Sequence, residues 1–228
     1  MNYVAHSLAC LDDPYQVAGA AVPDWLGLTN PRLRCRSRQA EPFLECEVAN
    51  TAAIALGVIR HHADDRWFHE TPAFCELSLE LARRVRHATG DVDGMRPSFL
   101  GHILVELLID ASLIAEDRAG VDAYYAALGA VDAPCVAQAI SEMTGADASP
   151  LASIIQRFTA MRFLYDYVED ELLTYRLNQV MRRVRLPELP QRFVEILPPA
   201  RTLVAAHRDE LLRSPIASET ALLASLAS

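Results

Sequence analysis

His102, Glu106 and Asp110 interrupt the otherwise apolar stretch from Phe99 to Ala115, each four residues after the last. That spacing sets all three on one helical face. A buried carboxylate left alone costs several kcal/mol, so two of them beside an imidazole call for a cation or a polar partner. Residues 61–69 repeat the pattern with His61, Asp65 and His69. A pair four apart can chelate one ion, whereas a triple spans about 12 Å of helix axis. His61 and His69 therefore do not share an ion through direct bonds, nor do His102 and Asp110. Each helix offers a pair and a spare, which suits a second ion or a group supporting the first.

His6 and Asp24 bring further donors from two earlier segments. Imidazole and carboxylate without thiolate suit manganese, iron or zinc, with magnesium also compatible. Water on such an ion ionises near neutral pH. Each segment also has a plainer reading. His6 can be a core histidine, and Asp24 after Pro23 a helix N-cap. Residues 61–69 can be a solvated helix end. His102, Glu106 and Asp110 can pair with arginines such as Arg60, Arg162 or Arg176. A shared cation is the one explanation that covers all four segments.

The elements that must position these side chains read as helices throughout, since period-2 alternation is nearly absent. The pattern predicts helices over 2–11, 43–68, 73–88, 97–116, 120–129, 133–144, 150–183 (one or two), 191–213 and 216–227. Pro23 is expected to stop or bend the helix before Asp24. Residues 28–42 read as an arginine-rich loop. The run Arg182 to Arg185 fits a solvated helix C-terminus, with phosphate or an acidic partner as the alternative. Tyr165, Asp166, Asp170 and Asn178 fit either a pocket wall or plain packing. Nothing marks a domain boundary, so residues 1–228 are expected to form a single all-α domain. Its metal-site half covers about 1–118 and a helical second half 119–228.

Composition narrows the classes. The 228 residues carry a net charge of -9 and no lysine, which disfavours a nucleic-acid binder. Five scattered cysteines without a CxxC pair fit a reducing compartment. The first residues lack a basic run and an apolar core, so no signal peptide is expected, and the polar residues near Leu100 argue against a membrane span. A cytoplasmic protein without a membrane partner follows as the expectation.

Four motifs resemble the acyl carrier protein phosphodiesterases and their relatives, a divergent branch of the HD-domain-like metal phosphohydrolases. The chain opens MNYVAH, ending at His6, and VAGAAVPDWLG supplies Asp24. GVIRHHADDRWFH matches the family's Gly-Ile-x-x-His pattern at His61 and Asp65, with His69 in place of the last acid. His102 and Glu106 stand where the family has two acids four apart. The superfamily's adjacent His-Asp pair is interrupted by His62 and Ala63, and His62 stands where the family has arginine.

The resemblance covers residues 1–110 and implies an HD-domain-like helical fold, a divalent metal such as manganese, and phosphodiester hydrolysis. In the carrier protein enzymes the bond links phosphopantetheine to serine. Expected ligands are His6, Asp24, His61, Asp65, His102 and Glu106, with His69 and Asp110 for a second ion or in support. His62 or Asp64 would shuttle protons, and Arg60 or Arg66 would neutralise developing charge. The substrate would be a small-molecule or carrier-linked phosphoester. The alternative is a non-catalytic helical scaffold, a protein-interaction module with a structural or relic metal site.

Overall fold

A computed structural model of the chain describes residues 1–30, 32–90 and 92–214, with Leu222, Leu223 and Leu226. Every regular element among them is helical. In chain order these are α1 (Tyr3–Ser7), α2 (Pro14–Thr29), α3 (Ser37–Ala40), α4 (Ala49–Glu70), α5 (Pro72–Thr89) and α6 (Pro97–Glu116). Then come α7 (Arg118–Ala130), α8 (Ala133–Thr144), α9 (Pro150–Met161), α10 (Asp170–Arg183), α11 (Leu197–Ala206) and α12 (Arg208–Leu212). Short 3₁₀ segments lie at Glu41–Phe43, Phe163–Val168 and Gln191–Ile196.

Local chemistry sets many of the starts. Proline opens α2, α5, α6, α8 and α9, where its missing N–H costs nothing. Asp13 caps α2 by accepting from the Tyr15 and Gln16 amides, and Thr71 caps α5 by accepting from Phe74. Gly145 closes α8 in the left-handed region at φ 66°.

Several boundaries differ from expectation. Pro23 does not end its helix: α2 runs through it to Thr29, so Asp24 lies in a helix interior and is no N-cap. Residues 8–11 are turns, and α1 is only five residues long. The helix expected from residue 43 begins at Ala49, after a 3₁₀ turn at Pro42 and an extended Val48. The loop expected over 28–42 contains α3. Residues 150–183, expected as one helix or two, form two, parted where Arg162 takes φ 46°. Another break, at Ala206–Arg208, divides 191–213. The helix expected over 216–227 lies largely outside the described residues.

Two helix pairs organise the packing, α2 on α4 and α5 on α6. Glycine lets α2 and α4 meet: a Cβ on Gly57 would stand 2.2 Å from the Gln16 carbonyl, and one on Gly19 2.3 Å from that of Ile54. α1 lies across α2, α4 and α6. Among the described residues α6 alone is long and apolar enough to cross a bilayer, yet over half of its apolar window is buried in the protein.

Candidate metal centre

The centre starts with an anchor. Asp110 of α6 is fully buried, and its two oxygens accept from the backbone amides of Val4 and Ala5 at 3.0 and 2.9 Å. It thereby satisfies the orphan amides of a helix too short to stand alone. Of the two roles expected of Asp110, ligand of a second ion or support, these bonds are of the supporting kind: they seat α1, which carries His6. Burial pushes its carboxyl up to about 6, against the pull of the two amides.

Seated this way, α1 lays His6 flat against His61 of α4, with ring centroids 4.2 Å apart and planes 26° from parallel. His6 is 1% exposed and His61 3%. His61 donates Nδ1–H to the Ala20 carbonyl of α2 at 2.8 Å, so its Nε2 lone pair faces Asp65 Oδ2 at 3.5 Å. Burial, reinforced by the charge of His6, holds the His61 imidazole well below its usual pKa and therefore neutral. His6 Nε2 lies 3.2 Å from Asp65 Oδ1 and its Nδ1 3.6 Å from Asp64 Oδ2. Neither nitrogen makes an aligned hydrogen bond among the described residues. One donor atom from each of His6, His61 and Asp65 lies within 4.8 Å of the others.

A second group forms beside it. His69, His102 and Glu106 also place donor atoms within 4.8 Å of one another. Glu106 therefore joins His102 of its own face and His69 of α4, and not the His6 group. The Met1 α-ammonium sits between the two groups, 2.6 Å from Asp65 and 3.3 Å from Glu106. Burial would raise the Glu106 pKa, but the ammonium and the two histidines bring it down to about 2. Asp65 is likewise held far below the usual carboxylate range, burial notwithstanding, by His6, the ammonium and His61.

Asp24 stands outside both groups. It lines a cavity of about 360 Å³ together with Met1 and Glu106. Burial pushes its carboxyl up to about 7; His6 pulls down, and Asp65 and Glu106 push further up. Across this cavity α10 presents Arg176, Gln179 and Arg183. Arg176 is braced by Asp166 at 2.6 Å, while Arg183 has no ion pair among the described residues. The two arginines sit seven apart on one helix, a spacing that was readable in the sequence. Arg183 belongs to the run 182–185, for which phosphate binding is the alternative to a solvated helix end, and Arg176 is a candidate partner for the α6 carboxylates.

Of the expected proton shuttles and charge neutralisers, Asp64 alone forms an ion pair with the His6 group among the described residues. His62 turns its Nε2 to the Cys35 carbonyl at 2.7 Å. Asp64 is buried beside His6. Arg60 is 1% exposed, its Nε is unpaired among the described residues, and it does not line the cavity. Arg66 is exposed on α4. The arginine network once available to α6 is not formed, since Arg162 pairs with Asp122 and Arg176 with Asp166. Asp170 pairs with Arg201, Asn178 accepts from the Leu189 amide, and Tyr165 packs against Arg118, Arg162 and Tyr125.

Two sets of two imidazoles and one carboxylate can each bind a divalent transition metal. The burial of His6 beside Asp65 and the fixed tautomer of His61 fit the first set to an ion. No family model, curated protein or solved structure matches the chain.

Proposed function

We propose that the protein is a metal-dependent phosphoester hydrolase with an HD-domain-like arrangement of its first helices. The observation that carries this reading is the convergence of the buried His6 and His61 with Asp65, linked through the Met1 ammonium to a cavity that Met1 lines and Arg176 and Arg183 wall. The order of motifs over residues 1–110, like that of the acyl carrier protein phosphodiesterases, supports the same reaction class.

A divalent ion on that group supplies Lewis acidity and a water that ionises near neutral pH. The chain's own residues do the rest. Arg176 and Arg183 bind phosphate oxygens, and the bracing of Arg176 by Asp166 orients it beforehand. Leu107, Phe163 and Val180 take the organic part of the ester. Asp24, a cavity-wall carboxyl whose pKa burial pushes upward, is placed to give its proton to the leaving oxygen. The substrate is then a small-molecule or carrier-linked phosphoester, such as a phosphopantetheine–serine link.

A second reading draws on the Met1 ammonium. It balances Asp65 and Glu106 without any ion, as a scaffold with a closed polar network would need. Untagged protein assayed on bis(p-nitrophenyl) phosphate with manganese or zinc separates the two. Turnover lost in His61→Ala along with the bound ion, and lowered about 100-fold in Asp24→Asn with the ion retained, is the expected result. Protein that holds no ion and turns over no ester would defeat the hydrolase reading. Protein that holds an ion but turns over none would point to a structural or relic site.

A further inference from the structure

The group of His69, His102 and Glu106 shares no ligand with the His6 group, and its geometry is that of a coordination site in its own right. His69 closes α4, and His102 and Glu106 stand four apart on α6. His69 Nε2 lies 2.9 Å and His102 Nε2 3.4 Å from the same oxygen, Glu106 Oε1. The Met1 ammonium approaches that oxygen too, at 3.3 Å. His69 and the ammonium hydrogen-bond that oxygen and occupy its two lone pairs, which leaves the His102 nitrogen beside it without a hydrogen bond among the described residues. Two imidazole nitrogens and a carboxylate oxygen within 4.8 Å of one another are also the donor set of a divalent cation. The imidazoles are also held in place: their centroids are 4.8 Å apart, and the Phe74 ring stands edge-on to both at 4.7 and 4.9 Å.

Access separates the two groups. The side chains of His69 and His102 are 31% and 44% exposed, against 4% for His61 and 1% for His6. Glu106 faces the cavity that Arg176 and Arg183 wall on the far side. We infer that His69, His102 and Glu106 form a second divalent-cation site, open to solvent and independent of the buried His6–His61–Asp65 site. It rests on the metal-centre reading above and extends it to two ions, a buried one and an exchangeable one. Two imidazoles to one carboxylate select zinc, cobalt or iron over magnesium or calcium.

Zinc content after dialysis, with cobalt(II) absorption as the companion spectrum, tests this. Wild type is expected to hold two ions per chain. His102→Ala and Glu106→Gln are expected to hold one, His61→Ala to hold the other, and chelator to strip the one left in His61→Ala faster. The exposed position of His102 and the matched shape of glutamine keep the fold, which circular dichroism checks. A single ion in wild type, lost in His61→Ala but kept in His102→Ala, overturns the second site and leaves the hydrolase reading standing. Two ions still bound in both His102→Ala and Glu106→Gln also overturn it. No ion in wild type defeats both.

Discussion

His6 and the Met1 ammonium hold their protons more tightly in the folded chain than in the unfolded one. Burial alone would depress the His6 imidazole, but Asp64 and Asp65 carry it up to about 9, against about 6.5 when unfolded. The ammonium, despite its own burial, is raised from 8.0 by Glu106 and Asp65. A raised folded pKa stabilises fully below the unfolded value and ceases to do so as pH climbs through the folded one. Metal-free protein should therefore lose up to about 3 kcal/mol between roughly pH 6.5 and 9.5, as read by urea unfolding. His6→Gln should flatten that limb, and an equal slope in the variant would show the assignment to be wrong. His61 shifts in the opposite direction, but below its ordinary 6.5, so it acts on the acid side of this window.

At the scale of elements, tertiary packing outweighs local propensity in α2. Proline inside a helix costs about 3 kcal/mol. Here the next turn buries Trp25 at 0% and Leu26 at 1% exposure, worth several kcal/mol together, and the helix continues. Gly57 shows the same ordering. Alanine there would gain about 1 kcal/mol of helix propensity, but its Cβ would meet the Gln16 carbonyl at 2.2 Å and the Ala20 amide nitrogen at 2.7 Å. Overpacking of that kind costs about 1–3 kcal/mol. Gly57→Ala should thus lower the urea midpoint. It should also weaken metal binding by moving the Ala20 carbonyl that fixes the His61 tautomer. A variant as stable as wild type would mean that α2 and α4 can part without penalty. The helices around the site were legible because apolar periodicity and proline starts agreed, as in α5 and α6. The boundaries at Pro23, Val48 and Arg162 were not, since each is settled by contacts with distant segments or by a left-handed residue that no glycine announces.

For the molecule as a whole, an ion bound only by the folded state adds to stability by mass action. Zinc or manganese at a hundredfold over its dissociation constant should add about 2.7 kcal/mol. For a chain of 228 residues that raises the melting temperature by about 5–10 °C. A scan with and without chelator measures it, and coincident transitions would favour the closed polar network. His61→Ala should remove most of the shift.

Residue types and i, i+4 spacing by themselves determined an all-helical chain with two metal-competent faces, on α4 and α6, because helical periodicity is a local property. They also limited each ion to a pair on one helix, since the rise per residue is constant. How those pairs combine was decided only in three dimensions. Asp65 joins His6 and His61, while Glu106 joins His102 and His69. Asp110 is spent on seating α1, and Asp24 faces the cavity with the arginines of α10. Between different helices those pairings link residues about 30 to 160 positions apart, and their proximity in space follows from how whole helices pack, which no local pattern encodes.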